Sequence, residues 1–323
     1  MTGGAALGGA LIVTLATPAT WPLALGAFLI RGGIVLVALP LVVLPTPVGI
    51  GNVLGPTLTS IAFGSVSGEV LVVAGLAVVV GLIWLLVGGW LAAALEAEAT
   101  WIVALDEDIA GFRQRPAGRA HGRTAARVLA ARLIANIPLG LVLSWGLIRI
   151  VVVTYDELIS PLDVSTPIGL RVLRAAPEVV IAIGLAWMIG EIVGAVAARR
   201  VVLAGDGVGP ALRSALVTTV RHPLSSLVAF WVPTIALLVV LVLSAIAASS
   251  AAGTARSVLS EPDDPVPVLL AVLSLVLLWI LGLLLTAVVG AWRAATWTVA
   301  EVVRDGTFGT LPATRHVEVE PFV

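Results

Sequence analysis

Long apolar segments separated by short polar ones dominate this chain. Six of them are long enough to cross a bilayer, because about 20 apolar residues, at about 1.5 Å each, span a hydrocarbon core of about 30 Å. They cover 19–45, 69–95, 133–153, 177–198, 224–247 and 267–290. Backbone groups in lipid have no water to bond, so each segment is expected to be helical. The pattern predicts an all-α, polytopic integral membrane protein forming one domain, 1–323, with three hairpin-like helix pairs.

Three stretches outside the spans carry separate expectations. Residues 1–18 contain an apolar stretch without the positive n-region of a signal peptide, which indicates a retained interfacial segment. Residues 46–68 are interrupted by proline and glycine, and they form either an apolar connector at the outer interface or a re-entrant element. Residues 306–323 are expected to be a flexible cytoplasmic tail. Pro40, Pro138 and Pro233 lie inside spans one, three and five, where each is expected to kink its helix.

Composition supports the membrane assignment. The chain has 59% hydrophobic and 11% charged residues, whereas a soluble domain has about 25% charged residues. All 18 basic residues are arginine, and cysteine is absent. Disulfides, thiolate metal sites and a cysteine nucleophile are therefore excluded.

Arginine is distributed unevenly between the loops. It is concentrated between spans two and three, between spans four and five, and after span six, whereas the other loops carry few arginines and several acidic residues. Since Lys and Arg favour the cytoplasmic side, both termini are expected in the cytoplasm and the protein in the inner or plasma membrane. The three arginine-rich segments are called the cytoplasmic hooks. Their arginines are Arg113, Arg115, Arg119, Arg123, Arg127, Arg132, Arg199, Arg200, Arg213, Arg221, Arg293, Arg304 and Arg315.

Two charges lie near the middle of apolar spans: Arg31 in the first and Glu191 in the fourth. Counted from the cytoplasmic ends of these spans, both lie roughly 12–15 Å deep. A mid-bilayer charge costs about 2.5–3.5 kcal/mol on insertion scales, so Arg31 and Glu191 are expected to pair. The pair would fix helix register or form a substrate or proton site, unless Arg31 snorkels to the interface. Gly190 and Gly194 would let another helix approach Glu191 closely.

Arg119, Arg123 and Arg127 recur every fourth residue and form one stripe if this segment is helical. The stripe would contact anionic lipid headgroups or a protein partner, or it would act only as a topology signal. Nucleic-acid binding is not expected, because the stripe is short and the protein is nearly neutral.

A short sequence repeat follows two of the spans. Ala-Thr-Trp-Ile-Val at 99–103 follows span two, and Ala-Thr-Trp-Thr-Val at 295–299 follows span six. Acidic residues come after both. The repeat indicates either an internal duplication, as occurs in transporter folds, or tryptophans placed independently at the membrane interface.

The hook between spans four and five carries a family resemblance. The sequence Asp-Gly-Val-Gly-Pro-Ala-Leu-Arg-Ser-Ala-Leu at 206–216 is followed by Arg221-His222-Pro223 and an apolar span. This segment, within 199–223, resembles the six-helix membrane domain found fused to some glycerophosphodiester phosphodiesterases. The phosphodiesterase barrel is not part of this sequence, so the resemblance implies a membrane module and carries over no catalytic residue.

No enzyme motif is found in the sequence. It has neither a G-x-x-x-x-G-K-[ST] phosphate loop nor a G-x-S-x-G elbow, and His121, His222 and His316 are not at ligand spacing. No cofactor and no metal are therefore expected. The sequence favours a non-enzymatic membrane module associated with transport or membrane organisation. The alternative is a permease or transporter subunit that moves a small or lipid-like solute past Arg31 and Glu191, and an intramembrane enzyme is a third hypothesis.

Overall fold

The computed structural model describes residues 3–39, 64, 67–106, 121–160, 166, 168–260 and 265–305, and these are almost entirely helical, with no strand among them. Six helices are long and apolar enough to cross a membrane. They are Thr20–Ala38, Gly68–Leu105, Ile137–Glu157, Pro177–Leu203, Pro223–Ser260 and Val266–Val302. The prediction of an all-α protein with six spans is confirmed, and the chain is a multi-pass membrane protein.

The helices are numbered in chain order. They are α1 (Gly3–Ala16), α2 (Thr20–Phe28), α3 (Ile34–Ala38), α4 (Gly68–Ile83), α5 (Gly89–Asp106), α6 (His121–Ala135), α7 (Ile137–Ile159), α8 (Ile168–Ala175), α9 (Pro177–Leu203), α10 (Val208–Arg221), α11 (Pro223–Ser260) and α12 (Pro265–Asp305). A kinked segment, Leu29–Gly33, joins α2 to α3, and a π-helical turn, Trp84–Gly88, joins α4 to α5. Most of the 46–68 segment and the whole 306–323 tail lie outside the described residues.

Prolines act differently in the third and fifth spans. Asn136 separates α6 from α7, and Pro138 lies in the first turn of α7. The helix of the predicted third span, 133–153, is thus interrupted at Asn136, and Pro138 is tolerated in the turn that follows because proline lacks an N–H. Pro233 lies inside α11, and the kink expected there stays a prediction. Pro40 lies outside the described residues.

Several helices continue well beyond the apolar segments from which they were predicted. α11 has 38 residues and α12 has 41, which corresponds to roughly 57–62 Å, about twice the thickness of the hydrocarbon core. The sequence indicated shorter spans because the apolar runs end earlier. The extra turns contain good helix formers such as alanine and glutamate, and these continue the helix after the hydrophobicity falls.

The described chain divides into two compact units, whereas the sequence indicated no division within its single domain. Unit 1 comprises Met1–Pro18, Ala97–Pro233 and Trp292–Val323. Unit 2 comprises Ala19–Glu96 and Thr234–Ala291. Each unit is assembled from segments that are far apart in the sequence. Within unit 1, α9 packs against α6, α7, α8 and α10.

Alanine is the commonest buried apolar residue of the described chain. Leucine, isoleucine and valine are instead frequent at exposed positions. Lipid solvates large apolar side chains as well as a protein interior does, so helix packing in membranes relies on small residues that permit close approach. The distribution of side-chain sizes therefore agrees with a membrane environment.

The repeated segments and the N-terminal helix pack together in unit 1. Val103 and Val299, one from each repeat, share an apolar cluster with Ala6 and Ala10 of α1. Within the predicted interfacial segment 1–18, the helix Gly3–Ala16 thus buries Ala6, Ala10 and Val13. A second cluster joins Ala104, Leu203 and Val302. The C-terminal ends of spans two, four and six therefore meet, although duplication of the repeat remains a prediction.

Candidate functional site

Charged side chains of unit 1 gather around the C-terminal half of α9. We call this group the ion-paired layer. It consists of Arg132, Glu191, Arg199, Arg200, Asp206, Arg293 and Glu301. Four arginines and three carboxylates give it a formal charge of +1.

Glu191 is held by arginines from two other helices. Its Oε1 lies 3.4 Å from Nη1 of Arg132 on α6, and its Oε2 accepts a 2.9 Å hydrogen bond from Nη2 of Arg293 on α12. The side chains of Glu191 and Arg293 are each 23% exposed, and that of Arg132 is 13% exposed. One carboxylate therefore links three helices in a partly buried site, where ion pairs are screened less than at the surface.

Two glycines of α9 let α6 come close enough for this contact. A Cβ at Gly190 would lie 2.5 Å from Oδ1 of Asn136 and 3.2 Å from the carbonyl oxygen of Ala135. A Cβ at Gly194 would contact Ala135 and Arg132 at ordinary van der Waals distance. The predicted close approach beside Glu191 is therefore observed, and Gly190 is the position that requires glycine.

Arg199 is the largest fully buried side chain of the described residues, at 2% exposed. Its guanidinium donates to the carbonyl oxygens of Ala195, at 3.5 Å, and Ala294, at 3.1 Å. The first bond lies within α9, and the second reaches α12. Arg199 thus links the ends of the fourth and sixth spans through backbone carbonyls.

Arg200 binds two carboxylates in the same layer. Its Nε donates to Asp206 at 3.1 Å, and its Nη1 donates to Glu301 at 3.2 Å. Glu301 is nearly fully buried, with its side chain 3% exposed. The sequence had assigned Arg199 and Arg200 to a loop, because the apolar run stops at 198. The acidic residues after the second repeated segment were the signal for Glu301, whereas Asp206 does not follow a repeat.

Arg31 belongs to unit 2 and pairs there with Glu96 of α5. Glu96 is the first residue beyond the predicted second span, and its side chain is 6% exposed, against 37% for Arg31. The predicted mutual pair of Arg31 and Glu191 is thus replaced by two separate contacts, each inside its own unit. The depth of Arg31 in the membrane, estimated from the sequence, could not identify which of several carboxylates at a similar depth would pair with it.

Arg31 lies in a break of the first span. The segment Leu29–Gly33 is a kink between α2 and α3, in which Gly32 has a φ of 104°, in the left-handed region that favours glycine. The second span contains a π-helical turn, Trp84–Gly88. The two spans are close here, since a Cβ at Gly88 would lie 3.3 Å from Cγ2 of Ile30.

The predicted arginine stripe is only partly described. Arg119 lies outside the described residues, whereas Arg123 and Arg127 are exposed on α6. One turn further along, Arg132 points to Glu191 and belongs to the ion-paired layer. The hook thus contains arginines with different environments, which the spacing alone did not distinguish.

Unit 2 contains a small cavity of about 20 Å³ lined by residues of the first, fifth and sixth spans. Its lining is mainly apolar. The hydroxyl of Thr286 donates to the carbonyl oxygen of Gly282 at 2.7 Å, and the indole of Trp279 donates to Val37 at 3.3 Å. These polar groups are satisfied by the backbone, and the cavity has room for little more than one water molecule. Arg31 is not among its lining residues.

The ion pairs of this layer can hold helices together, since they join α6, α9 and α12. Within the ranges that the structure describes, no three His, Asp or Glu side chains are grouped as metal ligands would be. Comparison with protein-family models, curated proteins and solved structures finds no match to this chain. Its own contacts are therefore the basis for assigning a function.

Proposed function

We propose that this chain is a non-enzymatic module of the plasma membrane, associated with transport or membrane organisation, in which the ion-paired layer holds the cytoplasmic ends of the spans together. The observation that carries this proposal is the convergence of the ends of spans two, four and six on one cluster in unit 1. The ion-paired layer lies along the same helices. Glu191 and Arg200 each bind residues from distant parts of the chain.

Electrostatics favours a role for the layer in specifying the assembly. Bringing charges out of water is unfavourable, and their mutual attraction repays this only when geometry and hydrogen bonding are good. In this layer the carboxylates accept hydrogen bonds from arginines of other helices. A helix that slipped by one turn would lose these partners, so the layer would fix register and choice of neighbour.

The distribution of arginine supports the sidedness of this proposal. The ion-paired layer draws Arg132, Arg200 and Arg293 from three different hooks, which supports the proposal that the three arginine-rich segments share one side. By the positive-inside rule that side is cytoplasmic, and both termini lie there. The resemblance of 199–223 to the six-helix domain fused to phosphodiesterases agrees with a membrane module.

Partners are part of the same proposal. Arg123 and Arg127 are exposed on α6, a helix without a carboxylate. Each basic residue near an anionic membrane surface contributes about 1 kcal/mol. The hook would therefore contact acidic headgroups, and a protein partner at the hooks is the alternative.

A charge exchange tests the structural role. Glu191→Arg alone should destabilise the protein in detergent, because it places three arginines together. The double variant Glu191→Arg with Arg293→Glu should recover a substantial part of the loss in Tm. An equal loss in the single and double variants would show that the pair does not hold the helices. Fluorescent-protein and alkaline phosphatase fusions at both termini test the cytoplasmic orientation.

The break at Arg31 favours a second function, a permease or transporter subunit. Transporters often bind substrates where a membrane helix is interrupted, and Gly32 interrupts the first span next to Arg31. The test uses proteoliposomes loaded with a pH-sensitive dye. Proton flux that is lost in Arg31→Gln, with an unchanged Tm, would support transport. Absence of flux in the wild type, with a lower Tm for Arg31→Gln, would support the structural module.

A further inference from the structure

α10 is a short helix tied to membrane spans at both of its ends. The four residues 204–207 connect it to α9, and His222 alone connects it to α11. Its 14 residues make it roughly 21 Å long. Such a tether keeps α10 close to the membrane surface on the side where the ion-paired layer lies.

The two faces of α10 have different environments. Ala211 and Ala215 are buried on the face that packs towards α9 and α6. Leu216 is 51% exposed and Val220 is 77% exposed, and Leu224 at the start of α11 is also 77% exposed. Large apolar side chains grouped on an exposed face commonly mark an interaction surface.

Arginine is the only charged residue type on this surface. Arg213 and Arg221 are exposed on α10, and Arg123 and Arg127 are exposed on α6, which packs against α10. Neither helix contains Asp or Glu. No ion pair is found for these four arginines among the described residues, in contrast to Arg132, Arg200 and Arg293 of the ion-paired layer. An occupant of this surface should therefore be anionic.

We propose that α10 lies in the headgroup layer of the membrane, with Leu216, Val220 and Leu224 among the acyl chains and with the arginines bound to acidic phospholipid headgroups. An apolar face flanked by basic residues is the arrangement that places a helix in the membrane interface. Leu224 makes the surface continuous with the span that begins at Pro223. The inference deepens the proposed function, on which it rests for the cytoplasmic side, and adds the helix that enters the lipid.

The opposite end of α9 provides an internal comparison. There the short helix α8 precedes α9, separated by Ala176, and it also exposes an apolar residue, Leu173. Its Arg171, however, pairs with Glu157 at 3.2 Å. α8 should therefore lie at the interface without a preference for anionic lipid. Its exposed Arg174 is a matched control for the arginines of α10.

Cysteine scanning tests the depth of α10 directly, because the chain contains no cysteine. Val220→Cys, in vesicles of phosphatidylcholine and phosphatidylglycerol, should react slowly with an aqueous maleimide. Gly209→Cys, in the first turn of α10 with open space around it, should react quickly. A bimane label on Val220→Cys should be quenched by brominated lipid. Equal reactivity at the two positions would overturn the proposal and would indicate that the apolar face binds a protein partner instead.

Lipid selectivity tests the arginines. The bimane at Val220→Cys should be quenched more by brominated phosphatidylglycerol than by brominated phosphatidylcholine. Arg213→Gln and Arg221→Gln should reduce this preference by roughly fivefold per arginine at low salt. Arg174→Gln should leave it unchanged. A preference that survives both substitutions, or one that is absent from the start, would contradict binding of acidic headgroups.

These outcomes are separable from a failure of the proposed function. One outcome is that Val220→Cys proves accessible to water while the exchange of Glu191 and Arg293 restores Tm. In that case the ion-paired layer keeps its role, and only the proposal that α10 enters the lipid is wrong. If Tm is not restored while Val220→Cys is buried in lipid, the interfacial helix stands and the assembly role does not.

Discussion

The second and fourth spans are both strongly apolar, yet they are packed very differently. In the most hydrophobic stretch of the second span, 0% of the residues are buried. In the corresponding stretch of the fourth span, 44% of the residues are buried. The second span is also the more hydrophobic of the two. Hydrophobicity therefore reports contact with lipid, and it does not report which helix forms the centre of a packed unit.

Small residues and charges mark the packed span instead. Gly190 of the fourth span lies against Asn136, whereas Gly75 and Gly81 of the second span have open space around them. The fourth span also carries Glu191, which binds two arginines. A glycine in a membrane helix therefore does not by itself indicate close packing, because Gly75 and Gly81 have no neighbour within 4 Å.

Among substitutions that test this difference between the two spans, removal of the buried guanidinium of Arg199 should lower the unfolding free energy most. Arg199→Ala leaves the carbonyl oxygen of Ala294 without this donor and opens a cavity, so we expect a loss of roughly 3–5 kcal/mol in unfolding free energy. Steric trapping in micelles would measure the loss. Arg127→Ala, which removes an exposed arginine, is the control. Equal losses would mean that burial of Arg199 does not matter.

Neutralising Glu191 should have the second largest effect. Glu191→Gln keeps the shape but leaves Arg132 and Arg293 without that carboxylate, and we expect a loss of roughly 2–3 kcal/mol, less than for a fully buried pair. Differential scanning fluorimetry in detergent would show the change in Tm. Glu178→Gln, at an exposed ion pair with Arg149, should leave Tm unchanged. An unchanged Tm for Glu191→Gln would contradict the structural role of Glu191.

Enlarging Gly190 should disturb the contact between α9 and α6. Gly190→Ala places its Cβ against Asn136 and the backbone of Ala135, so we expect a loss of roughly 1–3 kcal/mol from overpacking. Gly184→Ala on the same helix has no neighbour within 4 Å and should be neutral or slightly stabilising. Chemical unfolding of the two variants would measure the difference. Similar values for both would show that the close approach is not required.

The smallest effect is expected in the second span. Gly75→Ala adds a methyl group to an exposed position, and it should change unfolding free energy by about 1 kcal/mol or less, in the stabilising direction. The same unfolding assay applies. A clear destabilisation would mean that another molecule packs on this face, as in an oligomer.

The sequence predicted the six spans because apolar length is a local property. Helix ends were less predictable. Leu203 and Asp305 end helices that continue past the apolar runs, and α7 begins at Ile137, four residues inside the apolar run 133–153. The pattern of apolar residues indicates where contact with lipid ends. Hydrogen bonding and helix propensity determine where the helix ends.

The site was partly predictable for a related reason. Glu191 and Arg31 were identified as exceptional charges, but their partners were not. Arg132 and Arg293 are 59 and 102 residues away from Glu191, and both had been counted only as topology signals. Pairing depends on which helices are neighbours, and a single sequence contains no such information beyond depth.

The alanine-rich interior has a consequence for divergence among relatives of this chain. At a buried alanine, every larger residue would push neighbouring helices apart, whereas leucine, valine and isoleucine can replace one another where lipid is the neighbour. Substitution patterns should therefore be the reverse of those in a soluble protein. Distant relatives should keep their smallest residues and exchange their large apolar ones freely, which would erase most recognisable similarity while preserving the fold.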